Sequence, residues 1–267
     1  TFVLRPKKIR AGIVMLHGLT DSPYSVRHLA QSFVQQGFLV IALRVPGHGT
    51  LPSGLHNISW KDWVVATGLA VQEMQRELGD NPNLFLLGYS NGGALALNYA
   101  LDSLSDNSLP APKKVVLLSP MIGISRFAML SKALEFASHL PLMGSHRWLS
   151  IQPEYNPYKY NSFSVNAAWQ AHSFTKHLQK KIKRLAKTKQ LQGLAPMLTF
   201  QSIMDSTVKT AALEQNFYRF LPSNHSELVL FDLNRHYSLA PIIKTQANEY
   251  LADVFAPQQR NYDLVTI

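Results

Sequence analysis

A serine stands between two glycines at the point where an apolar run gives way to a segment of helical period. Residues 84–93 read Leu-Phe-Leu-Leu-Gly-Tyr-Ser-Asn-Gly-Gly, and Ala-Leu-Ala-Leu follows directly. The Gly-x-Ser-x-Gly spacing between a buried strand and a helix is typical of a nucleophile on a sharp turn, where a β-carbon at either glycine would collide with neighbouring backbone. The chain contains no cysteine, which excludes a thiol nucleophile, a thiolate zinc site and an iron–sulfur cluster. Ser90 is therefore the candidate nucleophile.

A serine hydroxyl needs an adjacent base, and that base needs a carboxylate to orient it. Asp205 and His236 each follow a predicted strand, and the carboxyl ends of such strands form the edge where open α/β sheets place their sites. Asp232 is nearer to His236 in sequence and remains an alternative acid. The chain order serine, aspartate, histidine is the one that a strand-to-helix nucleophile requires. We predict a Ser90–Asp205–His236 triad.

Two backbone N–H groups are candidates for an oxyanion hole. Met-Leu-His-Gly at residues 15–18 ends the first strong apolar run, and the chain turns there toward the same edge of the sheet. The N–H groups of Leu19 and of Asn91, one residue past the nucleophile, are the candidate donors. Such donors need no reorganisation when the tetrahedral oxyanion forms. His17 is interpreted as a histidine that holds a turn, without a catalytic role.

The elements that position these residues alternate along the chain. Short β-branched or leucine-rich runs separate longer segments of helical period, a pattern that predicts an α/β fold with parallel strands and crossover helices. The predicted strands are residues 12–16, 38–43, 84–87, 115–118, 197–203 and 227–231. The predicted helices are residues 23–36, 59–78, 91–103, 207–219 and 239–254, and the first of them ends at Gly37.

One connection breaks this alternation. Residues 121–193 separate two predicted strands by far more than an ordinary crossover. Helices are predicted there at residues 127–139 and 165–189. We interpret 121–193 as a helical cap or lid, inserted before the strand that precedes the catalytic acid. The predicted core is then made of residues 1–120 and 194–267.

Three glycine-containing segments carry a likeness to a known superfamily. They are Ile-Val-Met-Leu-His-Gly-Leu-Thr-Asp-Ser-Pro at 13–23, Arg-Val-Pro-Gly-His-Gly-Thr at 44–50 and Gly-Tyr-Ser-Asn-Gly-Gly at 88–93. Together they resemble the α/β-hydrolase superfamily, in particular its monoacylglycerol-lipase-like and carboxylesterase-like branch. The resemblance implies an eight-stranded, mostly parallel sheet flanked by helices, the Ser90–Asp205–His236 triad, an oxyanion hole at Leu19 and Asn91, and no cofactor. One departure is that too few residues precede the strand that leads to His17 for the pair of strands such folds place there, which suggests a missing N-terminal piece.

The positive charge of the chain is concentrated in the predicted lid. The formal net charge is +10, and residues 121–193 hold eleven basic and two acidic side chains. Residues 176–189 hold seven basic side chains and no acid, and Phe174, Leu178, Ile182 and Leu185 recur there at helical spacing. Such a helix either packs its apolar stripe on the body or brings the protein to anionic lipid. Nucleic-acid binding is not predicted, because no recognised fold or base-stacking motif accompanies the charge.

Other classes of site find little support in the sequence. His172 and His177 are five residues apart, off the four-residue spacing that places two metal ligands on one helical face, so no metal site is predicted. No glycine-rich phosphate-binding loop is present. No apolar run approaches the roughly 18 to 20 residues that span a bilayer. The chain begins at Thr1, so we expect a protein that is soluble as given and from which a signal or anchor could have been removed; its localisation and oligomeric state are not predicted.

These observations predict a serine hydrolase. The expected substrates are carboxylic esters of small or medium acyl chain length, such as monoacylglycerols or related lipid-like esters. The same triad would serve a thioesterase, an amidase or a peptidase, because specificity lies outside it. A non-catalytic binding protein of the same fold is the alternative from another class.

Overall fold

The computed structural model of the protein describes residues 1–123, 147–202, 210–231 and 260–267. Some predicted features lie outside the described residues. They are the triad residues Asp205 and His236, the alternative acid Asp232, and the predicted helices at 127–139 and 239–254.

An eight-stranded, mostly parallel sheet lies at the centre of the fold. The ten described strands are β1 (Phe2–Leu4), β2 (Ala11–Leu16), β3 (Phe38–Leu43), β4 (Leu84–Tyr89), β5 (Lys114–Leu118), β6 (Trp148–Ser150), β7 (Phe163–Ser164), β8 (Met197–Ser202), β9 (Ser226–Phe231) and β10 (Tyr262–Thr266). The order in the sheet is β1-β3-β2-β4-β5-β8-β9-β10. Only β1 runs antiparallel to its neighbour in this sheet, and β6 and β7 form a separate antiparallel pair. The parallel strands therefore end at a common edge.

All six predicted strands are confirmed, each within two residues of its expected bounds. A strand whose two faces are both covered carries apolar side chains on each face, so it forms a continuous apolar run in the sequence. In β2, for example, every residue is buried. The strands not predicted are short or exposed. Strand β1 has three residues and none of them is fully buried, and only the first residue of β10 is buried. Strand β1 supplies one antiparallel strand where the resemblance implies a pair.

The described helices also follow the predicted order. They are α1 (Arg27–Gln35), α2 (Trp60–Leu78), α3 (Asn91–Asp102), α4 (Val165–Lys187) and α5 (Thr210–Asn216). The segment predicted as one helix from residue 23 begins as a 3₁₀ turn, and Gly37 ends it with a φ of +91°. Helix α2 starts where Ser59 accepts a bond from the Lys61 N–H, while the Asp62 carboxylate accepts one from the Ser59 N–H.

The two faces of the sheet belong to two hydrophobic clusters. On β2, Ile13 and Met15 belong to the cluster that includes Ala30 of α1, whereas Val14 and Leu16 belong to the larger cluster with α2, α3 and α4. This alternation follows from the two-residue period of a strand. The helices therefore cover both faces, as the predicted crossover pattern requires.

Helix α4 packs its apolar stripe on the body. Phe174, Leu178, Ile182 and Leu185 are buried in the larger cluster, so this stripe is not free for lipid. On the same helix the Lys181 Nζ contacts the Asp102 carboxylate at 2.7 Å. The other basic residues of the segment 176–189 are exposed, and none pairs with a carboxylate among the described residues. The division into a core and a 121–193 lid stays a prediction.

Among the described helices, none is both long and apolar enough to cross a bilayer.

Candidate active site

The backbone of Ser90 forms a strained turn between β4 and α3. Its φ is +52° and its ψ is −113°, a conformation that costs a non-glycine residue roughly 1–3 kcal/mol. Neighbouring backbone holds it in place: the Ser90 N–H donates to the Leu118 carbonyl at 2.9 Å, and the Ser90 carbonyl accepts from the Met121 N–H at 2.9 Å. The residue is half-buried and stands at the N-terminus of α3, where free N–H groups favour negative charge. The predicted nucleophile turn is thus present.

Gly88 and Gly92 allow this turn to pack closely. A β-carbon on Gly92 would overlap the backbone carbonyl groups of Leu16 and His17, and one on Gly88 would overlap the backbone of Gly92. The first turn of α3 therefore lies directly against the end of β2. This is the physical reason for the glycine spacing that the sequence showed.

The predicted oxyanion donors lie on two adjoining backbone segments. Leu16 pairs with Gly88 in the sheet, and the α-carbon of Gly18 faces the ring of Tyr89 so closely that a β-carbon there would be 3.1 Å from the ring. The loop that carries Leu19 consequently begins beside the turn that carries Asn91. Asn91 itself is buried, and its Oδ1 has no hydrogen-bond partner in the described part of the chain.

His17 fixes the peptide that carries the Leu19 N–H. The Val45 N–H donates to Nε2 of His17 at 3.1 Å, so the ring proton must be on Nδ1, which donates to the Gly18 carbonyl at 2.8 Å. The Gly18 carbonyl and the Leu19 N–H belong to one planar trans peptide and point in opposite directions. The His17 bond therefore sets the direction of the Leu19 N–H. This agrees with the interpretation of His17 as a histidine that holds a turn.

His17 is also electrically neutral in the folded protein. Burial and the neighbouring His48 ring lower its pKa from 6.5 to about 3. Its ring lies 4.9 Å from that of His48, edge to face. A proton on this histidine would destroy the bond from Val45.

Two residues near this loop were not identified from the sequence as site residues. His48 lies in the segment 44–50 and stands between two glycines of a turn, with φ of +83° at Gly47 and +75° at Gly49. The structure adds that Nε2 of His48 lies 2.7 Å from the Leu19 carbonyl. Tyr160 donates its backbone N–H to the Thr20 carbonyl at 2.7 Å. Both contacts join residues that are distant in sequence, so no local pattern indicates them.

Two described strands lead toward the two remaining positions of the predicted triad. Strands β8 and β9 end at Ser202 and Phe231, shortly before Asp205 and His236. Because β4, β5, β8 and β9 are consecutive parallel neighbours, they end at the edge where Ser90 stands. The side chains of Asp205 and His236 lie outside the described residues, and their roles stay predictions. Within the described ranges, no group of three or more histidine, aspartate or glutamate residues could hold a metal ion.

Comparison with known families agrees with this geometry. The sequence model of the family described as "Serine aminopeptidase, S33" matches residues 7–240. The chain belongs to this α/β-hydrolase family.

The relatives of this α/β hydrolase include lipases. A segment of 93 residues is 32% identical to a thermostable monoacylglycerol lipase of Bacillus sp. (strain H-257), and it spans 33% of this chain and 34% of that lipase. The fold is similar to that of a soluble variant of monoglyceride lipase from Saccharomyces cerevisiae, with a TM-score of 0.65, 15% identity and coverage of 94% of this chain and 90% of that one. A monoacylglycerol lipase of Paleococcus ferrophilus has a TM-score of 0.63 at 18% identity, over 95% of this chain and 98% of that one.

The packing of α3 against β2 leads to the first prediction. Gly92→Ala is expected to lower the free energy of unfolding by about 3 kcal/mol, because the new methyl group meets main-chain carbonyls that cannot rotate aside. Urea unfolding of the variant and of the wild type measures the difference.

Gly68→Ala is the matched control. Gly68 lies inside α2 and has open space where a β-carbon would stand, so alanine there should raise the free energy of unfolding by about 0.5–1 kcal/mol. A Gly92→Ala protein as stable as the wild type would show that the turn can relax.

The buried His17 predicts a pH dependence of stability. The unfolded chain binds a proton on this residue near pH 6.5, and the folded chain does so only near pH 3. Its contribution to stability is therefore complete above about pH 6.5 and is lost as the pH falls toward 3, by up to about 1.4 kcal/mol per pH unit. His17→Gln should lower stability at neutral pH and flatten the decline on acidification.

Urea unfolding of both proteins between about pH 7.5 and about pH 4 tests this. His48 and the carboxyl groups titrate in both proteins, so to first order their contributions cancel in the difference between the two slopes. Equal slopes would mean that His17 accepts a proton in the folded state.

Proposed function

We propose that this α/β hydrolase cleaves carboxylic esters by two-step acyl transfer at Ser90. The observation that carries the proposal is the Ser90 backbone, which is held at positive φ between the ends of β4 and β5 and beside the Leu19 loop. Strain of this kind persists where surrounding structure maintains it, and it presents a side chain above the sheet edge.

In the proposed mechanism, His236 removes the proton from Ser90 as its oxygen attacks the ester carbonyl. Asp205 holds the imidazole and stabilises the imidazolium that forms. The N–H groups of Leu19 and Asn91 receive the oxyanion. His236 then protonates the leaving alcohol, and the same base activates the water that releases the acyl group.

The proposed substrates are esters of small or medium acyl chain, such as monoacylglycerols. Support comes from the similar proteins described above, two of which are monoacylglycerol lipases and one a monoglyceride lipase. The matched family bears the name of an aminopeptidase, so amide bonds are the competing substrate class, and thioesters are a further one. The alternative to an enzyme is a binding protein that has this fold and no catalytic activity.

We propose a smaller cap than residues 121–193. Helix α4 contributes Phe174, Leu178 and Ile182 to the core of the sheet, which supports assigning it to the body. Helix α4 would then belong to the body. Outside α4, the described part of residues 121–193 holds β6, β7 and the segment around Tyr160, which contacts the Leu19 loop.

Peripheral contact with anionic lipid remains a prediction from charge. Because the apolar stripe of α4 is buried, such contact would be electrostatic and would depend on salt. Lys181 pairs with Asp102 at the far end of α3, roughly 18 Å along that helix from Ser90. The basic residues beyond Lys181 are thus remote from the nucleophile, and the proposed reaction does not require them.

Ester hydrolysis is tested with a series of p-nitrophenyl esters of increasing chain length, together with a monoacylglycerol. We expect turnover that is highest for short or medium chains, and weak turnover of the matching p-nitroanilides. Preferential cleavage of aminoacyl anilides would move the assignment to peptidase chemistry.

Ser90→Ala is the control for this series. Its turnover should fall by about 10⁴-fold or more with the fold unchanged, and a fluorophosphonate probe should label only the wild type. Near-normal hydrolysis in the variant would place the nucleophile elsewhere. A wild type that neither turns over nor takes the label would be a binding protein.

Two aspartates allow the acid to be identified. Asp205→Asn should lower turnover by about 10⁴-fold, because the histidine loses the carboxylate that fixes its tautomer. His236→Ala should have an effect of similar size. Asp232→Asn is the matched variant and should stay within about threefold of the wild type. The reverse result for the two aspartates would assign the acid to Asp232.

A further inference from the structure

Three successive carbonyls of the loop at residues 18–20 are each held by a different residue, and two of these residues are distant in sequence. The Gly18 carbonyl accepts from His17, the Leu19 carbonyl lies 2.7 Å from Nε2 of His48, and the Thr20 carbonyl accepts from the backbone N–H of Tyr160 at 2.7 Å. The loop has two free rotations per residue, so holding consecutive carbonyls fixes its peptide planes. The Leu19 N–H lies between the first two of these bonds.

His48 reaches the loop from the turn after β3. Its Nδ1 also lies 3.0 Å from the Pro46 carbonyl and 3.2 Å from the Val45 carbonyl, so both ring nitrogens face acceptors. We assign the ring proton to Nε2, because its contact with the Leu19 carbonyl is the shortest of the three. The ring is 3% exposed, and burial lowers its pKa. A neutral His48 with its proton on Nε2 is therefore a donor to the Leu19 carbonyl.

Tyr160 connects this turn to the segment 147–164. Its hydroxyl donates to the Gly47 carbonyl at 3.3 Å and accepts from the Thr50 N–H at 3.0 Å, so it spans the turn on both sides of His48. The Tyr160 ring lies parallel to the His48 ring, with centroids 6.2 Å apart. One buried tyrosine thus contacts both the turn that carries His48 and the loop that carries Leu19.

We propose that His48 and Tyr160 are positioning residues for the oxyanion hole. Through these two residues, the packing of segment 147–164 against the Leu19 loop sets the rate of acyl transfer. The inference rests on the proposed ester hydrolysis at Ser90. Neither side chain touches the reacting atoms; each holds the backbone whose N–H group does. Because the aligned donor acts on the transition state more than on the bound ester, its misplacement should lower kcat and leave KM nearly unchanged.

The test compares His48→Asn with His48→Gln. The amide of asparagine ends near the position of Nδ1 and cannot reach Leu19, whereas the amide of glutamine ends near Nε2 and keeps a donor there. We expect kcat on p-nitrophenyl acetate to fall about 10- to 100-fold in His48→Asn, with KM within twofold, and glutamine to restore most of the loss. Equal activity of the two variants, or a change in KM alone, would overturn the role of His48.

Tyr160→Phe removes the two hydroxyl contacts and keeps the ring. We expect kcat to fall about tenfold at unchanged KM. The control is Tyr155→Phe, a tyrosine of the same segment whose side chain is 81% exposed, and it should behave as the wild type. Wild-type kcat in a folded Tyr160→Phe protein would overturn the role of the tyrosine.

Amide hydrogen exchange of residues 17–21 in the substrate-free protein separates this inference from the proposed function. The Asp21 N–H donates to the Gly18 carbonyl and reports on the loop. Exchange should be faster in His48→Asn and Tyr160→Phe than in the wild type and Tyr155→Phe. If the two variants exchange faster but the wild type hydrolyses no ester, the proposed function is rejected and the anchoring of the loop is retained. Unchanged exchange would reject the anchoring even in an active esterase.

Discussion

The close approach of α3 to the end of β2 is the constraint on which the rest of the site depends. No side chain fits between the first turn of the helix and the carbonyls of Leu16 and His17, so Gly92 is required there. This contact brings the Leu19 loop beside the turn of Ser90. The strain at Ser90 is in turn maintained by bonds to Leu118, the last residue of the neighbouring strand β5, and to Met121, which follows it. The turn of Ser90 and the start of the Leu19 loop are thus brought together by backbone packing, which is why the glycine spacing predicts their proximity, whereas the side chains of His17 and His48 hold the carbonyls of the loop itself.

Much of the fold followed from the sequence because its signals are local. Buried parallel strands need apolar residues on both faces, and α2 begins at a capping serine with a carboxylate three residues later. The elements that the sequence did not predict are those whose formation depends on a partner distant in sequence. The three residues of β1 form a strand only because β3 lies beside them, and β6 with β7 exist only as a pair. Edge strands that are half exposed carry no apolar run to identify them.

The site divides in the same way. Ser90, Leu19 and Asn91 could be placed because each is fixed by its position relative to a strand end. The anchoring of the Leu19 loop could not, because His48 and Tyr160 act through contacts that span 29 and 110 or more residues of sequence. A histidine between two glycines is equally compatible with a plain turn. Only the position of its Nε2 against the Leu19 carbonyl distinguishes a histidine that anchors the loop from one that merely occupies a turn.

The net charge illustrates a different limit. The helical spacing of residues 174–185 predicted an amphipathic helix and left its partner open. In the structure the stripe packs on α3, and one lysine of the polar face is held by Asp102 near the end of α3 that lies away from Ser90. The basic residues that follow Lys181 on this helix are exposed and lie beyond Asp102, at a distance where salt screens their effect on Ser90. These basic residues at the C-terminal end of α4 therefore form an exposed surface remote from Ser90, which is why the proposed reaction does not require them.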